Sequence, residues 1–464
     1  MYYKEMDLEK YLNNQKDITA YKIVDNKTVY YSTNDDYINR SSNDSKFWGK
    51  LFDLSYQKME MLSDALNSTE VWKNSYDGSN FSDEEMSEWL NDAVSRIKKL
   101  ICNNCHVLEI GCGNGLIFNS IIDNVSKYIG TDIAEKGLEL IAKSKKGKLN
   151  ASKIELYQLD ALNIDKIPNN KFNLIIINSV AQYFPSLDYL FNVFKKIEAY
   201  ASTNCYIFLG DIRSYELQKL FYLDILDKKS PKLSEDELNS KINFLKTREN
   251  ETFYHTQLFK LFPTLFDYIN SHFIELKKGK YNNELNLYRY DVTLLCNSNQ
   301  EDASIITVNW EVLKEPEVEI MQQLKSIKNN QVLKIFNIPN IRYNNIANKY
   351  IELFPSDDSL LFNYTFLQNN IVIPSVSFFT VLAEKENVFI QTKFNKEDFL
   401  KFDVYFSKEE YFNIPQSNDE INLQLLSNKL EEKKNNKDKA IEEQIHRIFS
   451  GVQLIRVSNY LLDK

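Results

Sequence analysis

Three glycines at alternate positions, Gly111, Gly113 and Gly115, close an apolar run that carries an acid, Val107-Leu108-Glu109-Ile110. Glycine has no Cβ, so such a turn lets a ligand lie directly against the backbone. A helical pattern begins at Leu116 and aims its first N–H groups at the same spot. The spacing is G-x-G-x-G with Glu109 ahead of it, not the G-x-G-x-x-G that seats a diphosphate. It suits a ligand carrying a cation rather than a diphosphate. Asp132 follows about 20 residues later at a strand end, where an acid can accept from both hydroxyls of a ribose. Asp160 ends the next strand and is placed to accept from an adenine amino group. Alone, each aspartate is better explained as a helix cap; in this order after the glycines they read as one site. Farther on, Asp211 and Arg213 stand at the exit of a further strand.

Alternating strands and helices must bring these groups together. Phe47 to Met61 reads as a short helix with Phe47, Leu51, Leu54 and Met59 on its apolar face. Ser82 with Glu85 three residues on is a capping box. It opens a helix to about Leu100, with Met86, Trp89, Leu90, Ala93, Val94, Ile97 and Leu100 on one face. Trp72 and Tyr76 ahead of the cap serve equally as a hydrophobic staple. Strands are expected at 107–110, 126–132, 154–159, 172–178 and 206–213, the fourth apolar enough to be buried on both faces. Ligands of open α/β sheets bind beyond the carboxyl ends of the strands. Those ends supply Glu109, Asp132, Asp160, Asn178, Asp211 and Arg213. Residues 214–265 interrupt the pattern with charged helical sequence, a lid above the strand ends. His272 to Lys278 and Leu285 to Leu295 finish the sheet as a hairpin.

The fold class is therefore α/β and Rossmann-like, in three parts. Residues 1–45 are an extension, either a hairpin or a partner-docking arm, and 46–298 form the sheet domain. Residues 299–464 form a smaller α+β accessory unit with a helix near 317–327, a strand at 332–336 and alternating strands from 371 to 405. A charged helix is expected over 418–449, broken by lysines at 433–437.

At 464 residues the chain exceeds one ordinary core. A net charge of −9 argues against nucleic acid as a partner. No apolar run is long enough to span a bilayer and no signal peptide is visible, so no membrane and a cytoplasmic location are expected. Cys102-Asn103-Asn104-Cys105-His106 matches a haem-attachment pattern, but that chemistry belongs to exported proteins. No second Cys/His pair lies at finger spacing, and no metal site is expected.

Several further motifs sit in order along the middle of the chain. They are Trp72 with Asn74-Ser75-Tyr76 and Gly78, then Glu85-Met86 with Glu88-Trp89-Leu90. Next come Val107 to Gly115, Tyr128 to Asp132, Asn178-Ser179-Val180 and Gln182 to Pro185. The series closes with Gly210 to Arg213, Asn283-Glu284-Leu285 and Tyr288 to Val292. With the glycine loop they resemble the class I S-adenosylmethionine-dependent methyltransferase domains found inside nonribosomal peptide synthetases. The resemblance covers roughly residues 47–296 and reaches weakly to Ile338-Pro339-Asn340 and Arg342. Asn173 stands where that family usually has an acid. No adenylation or carrier-protein motif surrounds the domain, so the resemblance implies a freestanding enzyme whose acceptor arrives from elsewhere.

The resemblance implies a seven-stranded class I sheet and S-adenosylmethionine as cofactor, leaving S-adenosylhomocysteine. It implies N-methylation of an amino acid, or of an aminoacyl or peptidyl group that is free or tethered to a carrier protein, in natural-product biosynthesis. A synthetase or carrier protein is the partner it implies. O- or C-methylation of a small metabolite or polyketide stays open, as does a non-catalytic docking module. Expected cofactor-binding residues are Tyr76, Glu109, Gly111, Cys112, Gly113, Gly115, Asp132, Ile133, Asp160, Ala161, Asn178, Ser179 and Tyr183. Expected catalytic residues are Asp211, Glu284, Arg213 and Tyr290, with Tyr76, Asn178, Tyr183 and Tyr290 lining the channel around the sulfonium.

Overall fold

A computed structural model gives the structure. It describes residues 18–24, 28–33, 37–59, 68–69, 72–168, 170–229, 233–298, 303–353, 375–395, 400–409, 426–427 and 453–456. The expected helix over 418–449 and the lysines at 433–437 fall outside these residues, save for 426–427.

The chain opens with an antiparallel hairpin of β1 (Ile18–Val24) and β2 (Thr28–Thr33), one of the two expectations for the extension. Helix α1 (Tyr37–Met59) follows. Its inward side is only in part the expected one: Met59 is buried as expected, but Leu51 and Leu54 are 44% and 62% exposed and Tyr56 is buried in their place. Helix α2 (Asp83–Lys99) starts at the expected capping box. The Glu85 N–H donates to Ser82 Oγ at 3.2 Å, and the Ser82 N–H donates to Glu85 Oε2 at 3.0 Å. Met86, Trp89, Ala93, Val94 and Ile97 turn inward as the periodicity requires.

The sheet domain then alternates. Its elements are β3 (His106–Ile110), α3 (Leu116–Ile121), β4 (Lys127–Asp132), α4 (Glu135–Lys143), β5 (Ile154–Gln158) and β6 (Phe172–Asn178). After these come α5 (Leu187–Glu198), β7 (Ala201–Arg213), α6 (Gln218–Lys229), α7 (Glu235–Arg248), β8 (Ile269–Leu276) and β9 (Arg289–Cys296). Strand order is β5-β4-β3-β6-β7-β9-β8, with β9 antiparallel to both neighbours. This is the class I methyltransferase arrangement that the resemblance implies. The order reverses between β3 and β6, which opens the crevice where such sheets bind ligands. Asn173 Oδ1 accepts from the His106 N–H at 3.0 Å, so the residue replacing an acid ties β6 to β3. Leu285 does not start the last strand; residues Glu284–Leu287 form a helical turn capped by Asn283.

Of the insertion at 214–265, α6 is buried from Leu220 to Leu226 and belongs to the main core. The second unit carries β10 (Ser304–Asn309), α8 (Pro316–Ser326), β11 (Gln331–Pro339), α9 (Asn344–Leu353), α10 (Val376–Lys385), β12 (Phe389–Phe394) and β13 (Lys401–Ser407). Its sheet order is β10-β11-β13-β12. Residues 376–385, expected within a run of strands, are helical and bury Val376, Phe379 and Leu382 at helical spacing. Strand β14 (Gln453–Arg456) pairs parallel with β2. No helix among the described residues is long and apolar enough to cross a membrane.

Candidate active site

At the carboxyl ends of β3 to β6 lies a cavity whose floor is the glycine loop. Gly111 sits at φ +77°, and a Cβ there would meet Val180 Cγ2 at 2.3 Å. Gly113 sits at φ +53°, where a Cβ would meet the Tyr56 hydroxyl at 2.7 Å. Only glycine satisfies both the backbone and the space. Gly115, at φ +90°, ends the loop as the N-cap of α3 and is not among the lining residues.

Glu109, Gly111, Cys112, Gly113, Asp132, Ile133, Asp160, Ala161, Asn178, Ser179 and Tyr183 all line this one cavity. Three carboxyl groups face it, and its lining contains no lysine, arginine or histidine. Glu109 is buried, with the Tyr128 hydroxyl donating to its Oε2 at 2.6 Å. Burial pushes its carboxyl up to about 8, against the lowering effect of that hydrogen bond. Asp132 accepts from the Gly113 N–H at 2.7 Å and the Ala134 N–H at 2.8 Å, which fixes its plane and leaves lone pairs free. Its carboxyl is pushed up to about 6, again by burial. Asp160 Oδ1 accepts from Asn163 Nδ2 at 2.8 Å. Asn178 Oδ1, packed over Gly210, finds no donor among the described residues.

One wall was not expected from the sequence. Trp48, Phe52 and Tyr56 of α1, spaced four apart, line the cavity, and Trp48 and Phe52 pack on Tyr183 with ring centroids 4.5 and 5.4 Å apart. The Lys136 N–H donates to Asp53 Oδ1 at 2.9 Å and pins α1 to the start of α4. A clue was available: four-residue spacing of aromatics places them on one helix face, with Gly49 and Tyr56 turned against the domain. Trp72 and Trp89 close the other end, 5.6 Å apart.

The proposed catalytic residues stand outside this lining. Asp211, fully buried and at φ +66°, accepts from Trp89 Nε1 at 3.0 Å, from Ser179 Oγ at 2.8 Å and from Arg289. The Arg289 guanidinium and the Lys277 ammonium hold its carboxyl below the usual carboxylate range despite burial. An acid so held stays ionised and is a weak proton acceptor. Glu284 accepts from the Ser75 N–H at 3.0 Å and lies 3.9 Å from Arg289.

Three expectations are corrected. Arg213 pairs with Glu251 at 2.7 Å and Glu249 at 3.3 Å and lies over the Phe253 ring, not beside Asp211. Tyr290 is fully buried and donates to the Tyr254 carbonyl at 2.8 Å, so it belongs to the core and not to a channel. Tyr76 donates to Asp224 Oδ2 at 2.8 Å and is likewise not among the lining residues. In each case a carboxylate or carbonyl from the 214–265 insertion captures the side chain. Cys102 and Cys105 are free thiols, the second buried beneath β3. Among the described residues no cluster of His, Cys, Asp or Glu could hold a metal.

Residues 101–288 match a family profile described as a methyltransferase domain. Among curated proteins, chondramide synthase cmdD of Chondromyces crocatus is 33% identical over 237 residues, 51% of this chain and 6% of its own length. Peramine synthetase A of Epichloe festucae is 34% identical over 50% of this chain and 8% of its length. Nonribosomal peptide synthetase TES of Alternaria alternata is 28% identical over 58% of this chain and 5% of its length. The chain thus spans less than a tenth of each of these relatives. Among solved structures, magnesium protoporphyrin IX methyltransferase of Synechocystis PCC 6803, with bound SAH, aligns over 55% of this chain and 99% of its own at 14% identity and a TM-score of 0.36. Strand order, glycine loop and family profile converge on residues 101–288: this stretch carries a methyltransferase domain in a seven-stranded α/β sheet, and it is similar to segments of peptide synthetases.

Proposed function

We propose that the chain transfers a methyl group from S-adenosylmethionine to the nitrogen of an amino acid, or of an aminoacyl or peptidyl group free or tethered to a carrier protein. One observation carries the cofactor half of this reading: three carboxyl groups and a glycine cradle face a cavity whose lining has no basic side chain. That pattern welcomes a cationic nucleoside and would repel a diphosphate. The relatives support the acceptor half, because their names are those of peptide synthetases and a synthase.

The cofactor, when bound, supplies an electrophilic methyl group on a sulfonium. Gly111 and Gly113 give it open backbone, and Asp132 and Asp160 offer acceptors for sugar and base. The aromatic side chains of α1 exclude water and favour positive charge. Asn178 and Ser179, where β6 ends, line the same cavity. The Ser179 hydroxyl hydrogen is held by Asp211, which leaves its lone pairs for an amine N–H. Asp211 thus orients Ser179, and Arg289 joins it to Glu284, which lies outside the lining; the amine enters as the free base, and the proton it carries after methyl transfer leaves to solvent. Alignment of a neutral amine supplies most of the acceleration in such a displacement.

Incubating the chain with methyl-labelled S-adenosylmethionine and amino acids, free or loaded on carrier proteins, tests this reading. An N-methyl signal in the product by NMR is expected. Label appearing only on oxygen or carbon would refute the nitrogen assignment, and no transfer to any acceptor would refute the function.

A further inference from the structure

The turn after β11 reaches across from the second unit into the sheet domain, at the segment that carries Glu284. Arg342 Nη1 donates to the Lys277 carbonyl at 2.9 Å and the Asn286 carbonyl at 3.4 Å. The Tyr343 hydroxyl donates to the Leu287 carbonyl. Asn340 holds the turn itself: its Oδ1 accepts from Arg342 Nε at 3.1 Å, and its N–H donates to the Leu400 carbonyl at 2.7 Å. On the opposite side the same segment is gripped by α2. Glu85 Oε1 accepts from Asn283 Nδ2 at 2.8 Å, and Glu88 Oε1 accepts from Asn286 Nδ2 at 3.0 Å. The segment 277–288 is therefore clamped from two sides.

From this segment a chain of charges leads to the cavity. Glu284 faces Arg289, Arg289 pairs with Asp211, and Asp211 holds the hydroxyl of Ser179, which lines the cavity. Arg342 is an expensive way to fasten two units together. Among the described residues its Nη2 is buried without an acceptor. A part-buried guanidinium with one nitrogen lacking an acceptor costs stability. What it delivers is a fixed position for one carbonyl ahead of the Glu284 turn and one within it.

We propose that Arg342 and Tyr343 are positioning residues for the acceptor side: the second unit sets the Glu284–Arg289–Asp211–Ser179 chain through them. This rests on the methyltransferase reading above and deepens it. The glycine loop is held by its own contacts to Asp132 and Thr131 and should not feel the change.

The test uses Tyr343→Phe and Arg342→Lys in the full chain, with Lys349→Ala as control. Lys349 pairs with Asp227 of α6 at the same interface but does not touch the clamped segment. Amide hydrogen exchange should rise in 279–289 in both variants and stay unchanged in 107–116. S-adenosylmethionine affinity by calorimetry should be unchanged, while kcat falls roughly ten- to hundredfold. In Asp211→Asn, adding Tyr343→Phe should cause little further loss of kcat. Unchanged exchange in 279–289 overturns the proposal, as does full activity with raised exchange, or an equal loss in Lys349→Ala. If the wild-type chain transfers no methyl group, the functional reading fails while the exchange measurement still tests the clamp.

Discussion

The two halves of the strand ends shift buried carboxyl groups in opposite directions. On the cofactor side, Glu109 and Asp132 are buried with no cation beside them, and their carboxyls are pushed up. On the acceptor side, Asp211 and Glu275 are buried beside Arg289, Lys277 and Arg96, and their carboxyls are pushed down. Desolvation acts on both; what differs is whether the protein supplies the counter-charge. One half awaits a positive ligand, whereas the other has neutralised itself and serves as rigid support.

The sharpest way to break this contrast is to remove an internal cation. Arg289→Met leaves Asp211 buried with one fewer partner and should destabilise the fold by about 3–5 kcal/mol. Chemical denaturation reads this directly; a loss below about 1 kcal/mol would mean that the acceptor side is not neutralised from within. Next in size is the cradle. Gly113→Val combines a left-handed backbone with a clash on Tyr56 and should weaken S-adenosylmethionine binding on the order of a hundredfold, from about 1–3 kcal/mol of strain plus lost space. Calorimetry on the folded variant measures it, and unchanged affinity would place the ligand elsewhere.

The third prediction concerns pH. The raised Glu109 carboxyl binds more protons in the folded than in the unfolded state. Its contribution to stability is complete below the unfolded value near 4.5 and is lost as pH rises through about 8. Thermal melts of the ligand-free chain should therefore show Tm declining across this window, with a shallower decline in Glu109→Gln. A parallel decline in the variant would assign the effect to another group. The smallest effect belongs to Tyr76→Phe. Loss of its hydrogen bond to Asp224 should cost about 1 kcal/mol and leave cofactor affinity untouched. Weakened cofactor binding would return Tyr76 to the cofactor site.

The same contrast governs what could be read from the residues alone. The cofactor half is built from short local units, a strand running into glycines and strands ending in acids, so Glu109, Asp132, Asp160 and Asn178 were legible without a structure. The acceptor half is built from long-range capture. Arg213 meets Glu249 and Glu251, Tyr76 meets Asp224, and Tyr290 meets Tyr254, all partners supplied by a helical insertion. Strand alternation fixes which residues share a face but not what covers that face. The helix and its buried Met59 were legible in α1, but its leucine face was misread for another reason. Its leucines suggest one apolar face, yet the domain takes up the aromatic face and leaves Leu54 to solvent.

The most direct measurement is titration of the chain with S-adenosylmethionine at pH 7 in two buffers of different ionisation enthalpy. A cation entering beside the raised Glu109 carboxyl must drive off its proton, so binding is predicted with proton release that disappears in Glu109→Gln. Binding without proton release, or no binding by folded protein, would contradict the claim that these carboxyls await a positive ligand.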